Sequence, residues 1–180
     1  QYLQLGPRPI LRHGLARLAA HPRVGIVRTV IHPDDIDLYR EAAEGLGLAD
    51  PVDGGETRQN SVRNGLDSFV GEGLDAVLIH DGARPIIDAA LIDRVLDRLE
   101  TADGALPAIA VNDTLKRVDE DHHIQATVPR HGLWRAQTPQ GFRFDAIRAA
   151  HAHAAGGAEL TDDAQVAEAA GLTVDVVQGS

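Results

Sequence analysis

Two short segments carry the residue types best suited to chemistry. One is Gly54-Gly55-Glu56-Thr57-Arg58-Gln59-Asn60-Ser61-Val62, and the other is Val77-Leu78-Ile79-His80-Asp81-Gly82-Ala83-Arg84-Pro85. Each sets flexible backbone beside an arginine and a short oxygen-bearing side chain, a combination that suits a phosphorylated, hydroxyl-rich small molecule. Asp81 offers an acceptor for hydroxyls or a metal-bound water, and Arg84 a planar donor fork for phosphate or polyol oxygens. Gly82 lets another group approach the backbone closely. Gly54 and Gly55 expose amides and carbonyls to a flat base, and Ser61 lies one helical turn beyond Arg58 on the same side. The plain alternatives are a tight turn with a surface salt bridge at Asp81 and Arg84, and an ordinary turn ahead of a helix at Gly54-Gly55.

The elements that must position these residues alternate between strand and helix. Leu11, Leu15 and Leu18 recur at helical spacing before Pro22, and the β-branched run from Val24 to Ile31 reads as a strand closed by His32-Pro33. Asp34 or Asp35 is expected to cap a helix that ends near Gly45 or Gly47, and a brief strand near Asp50 to Val52 leads into Gly54-Gly55. Val62, Leu66 and Phe69 form a helical stripe with Thr57 as its N-cap. Ala76 to Ile79 is a continuous apolar run, as expected of a central strand buried on both faces. Asp88 is expected to cap a helix bearing Leu91, Ile92, Val95 and Leu99, and Ala105 to Val111 forms the next strand. The pattern is α/β wound around a mostly parallel sheet. Ligands of such sheets bind outside the carboxyl ends of the strands, where His80 to Pro85 fall.

Thr114 to Thr138 breaks the rhythm. Two strand-like runs, Thr114 to Val118 and Ile124 to Val128, flank the polar turn Asp119-Glu120-Asp121. They read as a β-hairpin projecting from the sheet. Isolated two-stranded hairpins are marginal in water, so this arm is expected to rest on another surface, most simply a second copy of the chain. Beyond it the sequence predicts a strand over Leu133 to Gln137, a helix from about Arg143 to Ala155, a helix capped by Thr161 or Asp162, and a strand from Thr173 to Val177.

Other polar residues fit plainer roles. His151 and His153 stand two apart on a predicted helix and are expected to be exposed, as are His122 and His123 in the hairpin turn. Asp162-Asp163 fit a cap and a first-turn residue favoured by the helix dipole. Trp134 is expected in the core. Ser61, His80 and Asp81 do not form a hydrolase triad, because no nucleophile elbow surrounds the serine.

Composition narrows the class. A chain of 180 residues with 43% hydrophobic and 24% charged residues can bury a full core as one domain, residues 1–180. The formal charge of −10 opposes a nucleic-acid partner, since duplex binding leans on clustered Lys and Arg. Lys116 is the only lysine, so an anionic ligand falls to a few arginines and backbone N–H groups. The absence of cysteine excludes disulfides and thiol catalysis and fits a cytoplasmic setting. No apolar run approaches the roughly 20 residues of a membrane span, and no signal-peptide pattern opens these residues.

Taken together, the segments resemble the 2-C-methyl-D-erythritol 4-phosphate cytidylyltransferases of non-mevalonate isoprenoid synthesis. The resemblance runs through Gln1-Tyr2-Leu3, Gly54-Gly55-x-x-Arg58-x-x-Ser61-Val62, His80-Asp81-Gly82-Ala83-Arg84-Pro85 and Asp113-Thr114-Leu115-Lys116. It continues in Leu133-Trp134-x-x-Gln137-Thr138-Pro139-Gln140 and Thr161-Asp162-Asp163. It implies a Rossmann-like nucleotidyltransferase sheet and a magnesium-dependent transfer, in which a polyol phosphate attacks the α-phosphorus of CTP and pyrophosphate leaves. By the resemblance, Gly54, Gly55 and Ser61 read the cytosine. Asp81 and Gly82 lie near the ribose and the reacting phosphate. Arg84, Thr138 and Thr161 hold methylerythritol phosphate, and Arg130 positions its attacking phosphate. The hairpin, about residues 113–132, is implied to swap between two subunits, so that Thr114 and Arg130 serve the partner's site in a homodimer. The metal ligands stay unassigned, with Asp81 a candidate.

In the family, a Gly-rich segment bearing an arginine, then Pro-Lys, precedes the Gln-Tyr-Leu match. An Asn-x-Lys-x-Thr stretch follows the last match. Both lie outside these residues, and a first strand of the sheet goes with the earlier one. Loss of a central strand is expected to expose apolar surface and unpaired backbone, so the residues are expected to belong to a longer chain. Two other readings share the base-reading half: a pentitol (ribitol) 5-phosphate cytidylyltransferase, and a non-catalytic nucleotide-binding dimer domain.

Overall fold

The computed structural model describes residues 1–155, 157 and 160–180. The chain opens on β1 (Gln4–Leu5) and β2 (Arg8–Pro9), which form a small antiparallel ribbon leading into α1 (Ile10–Ala19). Next come β3 (Val30–Ile31), α2 (Ile36–Ala43), β4 (Val52–Asp53) and α3 (Arg58–Asp67). The chain continues with β5 (Ala76–Ile79), α4 (Ala89–Arg98) and β6 (Gly104–Ala110). The arm is β7 (Leu115–Val118) and β8 (Ile124–Val128). It is followed by β9 (Trp134–Ala136), β10 (Gln140–Arg143), α5 (Phe144–His153), α6 (Asp163–Ala169) and β11 (Val174–Gln178).

The main sheet runs β11-β6-β10-β5, with β9 also paired to β6. It is mixed. β11 lies parallel to β6, while β10 runs antiparallel to both β5 and β6, which therefore share one direction. The strand Gln140–Arg143 is absent from the sequence reading, which starts a helix at about Arg143. Only Phe142 in it is a bulky apolar residue. Gly141 is required here because a Cβ would collide with Val95 and press on Leu78 and Leu99. The close approach of α4 to this strand depends on that missing side chain.

Capping follows local chemistry at three helices. Thr57, Asp88 and Asp162 each accept from the backbone N–H three residues on, as their positions predict. At α2 the expectation fails: a 3₁₀ turn over Pro33–Asp35 intervenes, capped by His32, and neither Asp34 nor Asp35 caps through its side chain. Pro33 at the start of that turn fixes a φ that suits it and removes a donor that would have been unpaired.

Among the described residues, three apolar clusters hold the layers together. Leu66, Phe69, Phe142, Phe144 and Ile147 join α3 and α5 to the sheet, Leu11, Leu15, Ile31 and Tyr39 join α1 to α2, and Val95, Leu99 and Val177 fix α4 against β11. Trp134 is not among them. It lies 47% exposed on β9 at the base of the arm, because β9 covers only the far end of β6.

The run from Val24 to Thr29 forms no ladder of its own. The strand shrinks to Val30–Ile31, parallel to β4 and continued by a bond from the Val52 N–H to the Thr29 carbonyl. Its opposite edge faces β5 across a slot of about 890 Å³, lined by Val24 to Ile31, Leu74 to Ile79, and Leu11, Leu15, Val62 and Phe69. Strand-edge backbone and apolar side chains bound this slot on both sides.

Candidate functional site

The slot reaches the end of β5, where Asp81 and Gly82 line it together with Arg58 and Ser61 of α3. Both glycine-bearing segments thus follow the carboxyl end of a strand, as the switch-point rule requires.

At β4 the turn is fixed by backbone and by one serine. Gly54 N–H donates to the Ile31 carbonyl at 2.7 Å. Gly55 N–H donates to Ser61 Oγ at 3.0 Å, and Ser61 Oγ donates in turn to the Thr57 carbonyl at 3.0 Å. A Cβ on Gly55 would stand 2.5 Å from that of Asn60, so only glycine lets the turn lie against the start of α3. Ser61 therefore builds the glycine turn, and the edge of Gly55 is presented at a set angle.

At β5 one carboxylate stands between two arginines. Arg84 Nε donates to Asp81 Oδ2 at 3.0 Å, and Arg58 Nη2 lies 3.7 Å from Asp81 Oδ1. The same Arg58 nitrogen donates to Asp163 Oδ2 at 2.6 Å, and Asp163 Oδ1 meets His151 Nε2 at 3.1 Å. Asp163 has no exposed surface and His151 has 1%. His151 thus departs from its expected exposure, because α6 docks on the face of α5 that carries it. His153, two residues on, is exposed as its spacing predicts. Burial alone would raise the Asp163 pKa, but the hydrogen bonds from His151 and Arg58 hold it below the ordinary carboxylate value. For Arg58, burial is a lowering influence that Asp163 outweighs, with Asp81 and Asp162 adding to it, so its pKa is raised.

His80 ties the two halves of the same loop. Its Nε2 donates to the Arg84 carbonyl at 2.9 Å, and its Nδ1 meets Thr138 Oγ1 at 2.8 Å. Thr138 Oγ1 also accepts, at 3.4 Å, from the Asp81 N–H. Thr138 is itself buried and precedes the cis Pro139. Gln140, buried beside it, accepts from the Ala164 N–H at 3.0 Å and so brings the start of α6 to the sheet. There Thr161 donates its backbone N–H and its hydroxyl to Gln165 Oε1, at 2.8 and 3.1 Å, while Gln165 N–H caps back to Asp162.

The structure thus gathers Gly54, Gly55, Ser61, Asp81, Gly82, Arg84 and Thr138 around two adjoining loops, with Thr161 one element away. Thr114 and Arg130 stand apart, exposed at the ends of the arm. Arg130 donates to the Asn112 carbonyl, and neither residue touches the cluster among the described contacts. Arg58 and His80 belong to the quoted motifs, but the contacts of Arg58 with Asp163 and of His80 with Thr138 are nonlocal. For Asp163 the one signal was a second acid where the cap needs a single one.

A magnesium ion takes one or two carboxylates plus phosphate oxygens and water. Among the described residues no group of three or more acidic or histidine side chains is placed for a metal. The cluster fits such an ion only as a one-carboxylate site, Asp81, completed by a ligand's own oxygens.

Arginine donors around one carboxylate thus stand beside a glycine turn at the ends of the strands of an α/β fold. The chain belongs to the 2-C-methyl-D-erythritol 4-phosphate cytidylyltransferase (IspD) family, whose profile matches residues 1–180. It is 61% identical over 181 residues to a bifunctional IspD/IspF enzyme of Rhodospirillum rubrum, covering 100% of this chain and 47% of that protein. It is 48% identical over 184 residues to a 2-C-methyl-D-erythritol 4-phosphate cytidylyltransferase of Cereibacter sphaeroides, covering 99% of this chain and 79% of that protein. The crystal structure of the Thermus thermophilus cytidylyltransferase superposes with a TM-score of 0.85 at 36% identity, over 99% of this chain and 83% of that one. The chain spans about half the length of the bifunctional relatives, 47% of one and 46% of another.

Proposed function

We propose that the protein containing this chain transfers a cytidylyl group from CTP to 2-C-methyl-D-erythritol 4-phosphate. A phosphate oxygen of the polyol attacks the α-phosphorus of CTP, the bond to the β-phosphate breaks, and pyrophosphate leaves with 4-diphosphocytidyl-2-C-methyl-D-erythritol as the other product. The observation that carries this reading is the family match over all 180 residues, joined to an arginine-flanked carboxylate at a cavity that also reaches Ser61, which holds the glycine turn.

Gly54 and Gly55, angled by Ser61, present backbone to the cytosine edge. Asp81 and Gly82 lie towards the ribose and reacting phosphate, and Arg84, Thr138 and Thr161 face the polyol phosphate. Asp81 would be the protein carboxylate offered to a Mg²⁺ ion carried mainly by the nucleotide phosphates, and the ion would supply neutralisation of developing charge. No general base is needed, since a phosphate oxygen is already a nucleophile at neutral pH, and the protein's work is positioning and charge stabilisation. The exposed arm supports a homodimer in which Thr114 and Arg130 reach the partner's site. A cytoplasmic location fits this chemistry and the cysteine-free sequence.

The test is pyrophosphate release by the full-length protein with CTP and Mg²⁺, comparing 2-C-methyl-D-erythritol 4-phosphate with ribitol 5-phosphate. Release with the first alone is expected. Release with ribitol 5-phosphate alone would reassign the substrate, and CTP binding without any release would point to a binding domain.

A further inference from the structure

Arg58 is an odd residue to find where it stands. It is the first residue of α3, at the end of the helix where the dipole disfavours a cation. Its side chain keeps 38% of its surface exposed at the cavity mouth, yet one of its nitrogens is drawn inwards to a carboxylate with no exposure at all. That carboxylate, Asp163, begins α6, whose N-terminal needs are already met by Asp162 and Gln165 together with Gln140. Asp163 is therefore not required as a cap.

Each Asp163 oxygen has one side-chain partner, Oδ1 with His151 Nε2 and Oδ2 with Arg58 Nη2. His151 is buried on α5, and its Nδ1 has no partner among the described residues. Three helices thus meet at one ionised carboxylate in the protein interior. A buried ion pair is weak as a source of net stability, because desolvation offsets most of the Coulomb attraction. What such a pair fixes well is geometry.

The outcome of that geometry lies at the mouth. Held by Asp163, the Arg58 guanidinium sits over Asp81 Oδ1 while Arg84 occupies Oδ2. Nε and Nη1 of Arg58 make no hydrogen bond among the described residues, which leaves a planar donor edge for a ligand oxygen. We propose that Asp163, steadied by His151, is a positioning residue that aims Arg58 at Asp81 and at the ligand's anionic group. The bland alternative is an ion pair that only fastens α6 to α3.

This inference rests on the cytidylyl-transfer reading, and a double-mutant cycle in the full-length protein separates the two. Asp163→Asn, Arg58→Gln and the double variant are compared in kcat and KM for CTP and the polyol phosphate, with Tm recorded for each. Asp163→Asn is expected to lower kcat/KM about tenfold when Arg58 is present, within the range that contacting residues show, and to have little further effect once Arg58 is gone. An equal loss in both backgrounds would overturn the proposal and leave the fastening role. If Asp163→Asn does not fold, His151→Gln replaces it in the same cycle, with a smaller loss that again vanishes with Arg58→Gln. If the parent protein shows no turnover, the functional reading has failed. The same cycle is then read on CTP affinity, where non-additivity upholds the positioning role and additivity rejects it.

Discussion

His80 shows how much a single ring can decide. The Arg84 carbonyl can only accept, so Nε2 carries the proton, and the neutral ring takes the Thr138 hydroxyl at Nδ1. The threonine then offers a lone pair to the Asp81 N–H. Burial lowers the pKa of His80 below its ordinary 6.5. The Arg84 carbonyl and the Asp81 charge oppose that shift, and the Arg84 charge reinforces it. With the folded value depressed, the unfolded chain takes the proton first as pH falls. The stabilisation is complete above 6.5 and fades as pH drops through the lowered folded value. Urea unfolding of the parent and of His80→Gln, followed from neutral to acid pH, should show the steeper loss in the parent. Equal slopes would mean that His80 does not titrate as this geometry requires.

Among the elements, the arm has the least support within its own chain. All of β7 and β8 except Leu115 and Val128 is exposed, and Ile124 is 66% exposed. Its turn is tied by Asp119, which accepts from the Asp121 and His123 N–H groups, so the hairpin is locally specified but lacks a covering layer. Replacing Val118 and Ile124 with lysine should turn a dimer into a monomer in sedimentation equilibrium while leaving the far-ultraviolet spectrum intact. A parent protein that sediments as one chain would contradict the dimer. This arm was legible in the sequence because hairpins are written locally, as were the caps at Thr57, Asp88 and Asp162. Pairings between distant segments were not. Val24 to Thr29 has the composition of a strand, but a ladder needs a neighbour. Gln140–Arg143 has little strand character, yet it runs between β5 and β6 because Gly141 admits α4. The side of α5 that carries His151 is buried only because α6 folds over it.

At the scale of the whole molecule, the ends of two strands that share no ladder are brought to one mouth. β4 delivers the glycine turn, β5 delivers Asp81 and Arg84, and α3 and α6 meet beside them through Arg58 and Asp163. The motifs named these loops in advance, since turn glycines and donor forks are visible in a sequence. The inward chain from Asp81 through Arg58 to His151 was hidden, because it joins three helices far apart in sequence. The proposed cytidylyl transfer at this mouth puts Asp81 in contact with the reacting groups. The most direct measurement is pyrophosphate release from CTP and 2-C-methyl-D-erythritol 4-phosphate by the full-length protein and by Asp81→Asn, at matched Tm. A fall in kcat of about a hundredfold is expected, the scale seen when one transition-state contact is removed. Undiminished release by Asp81→Asn would place the chemistry elsewhere.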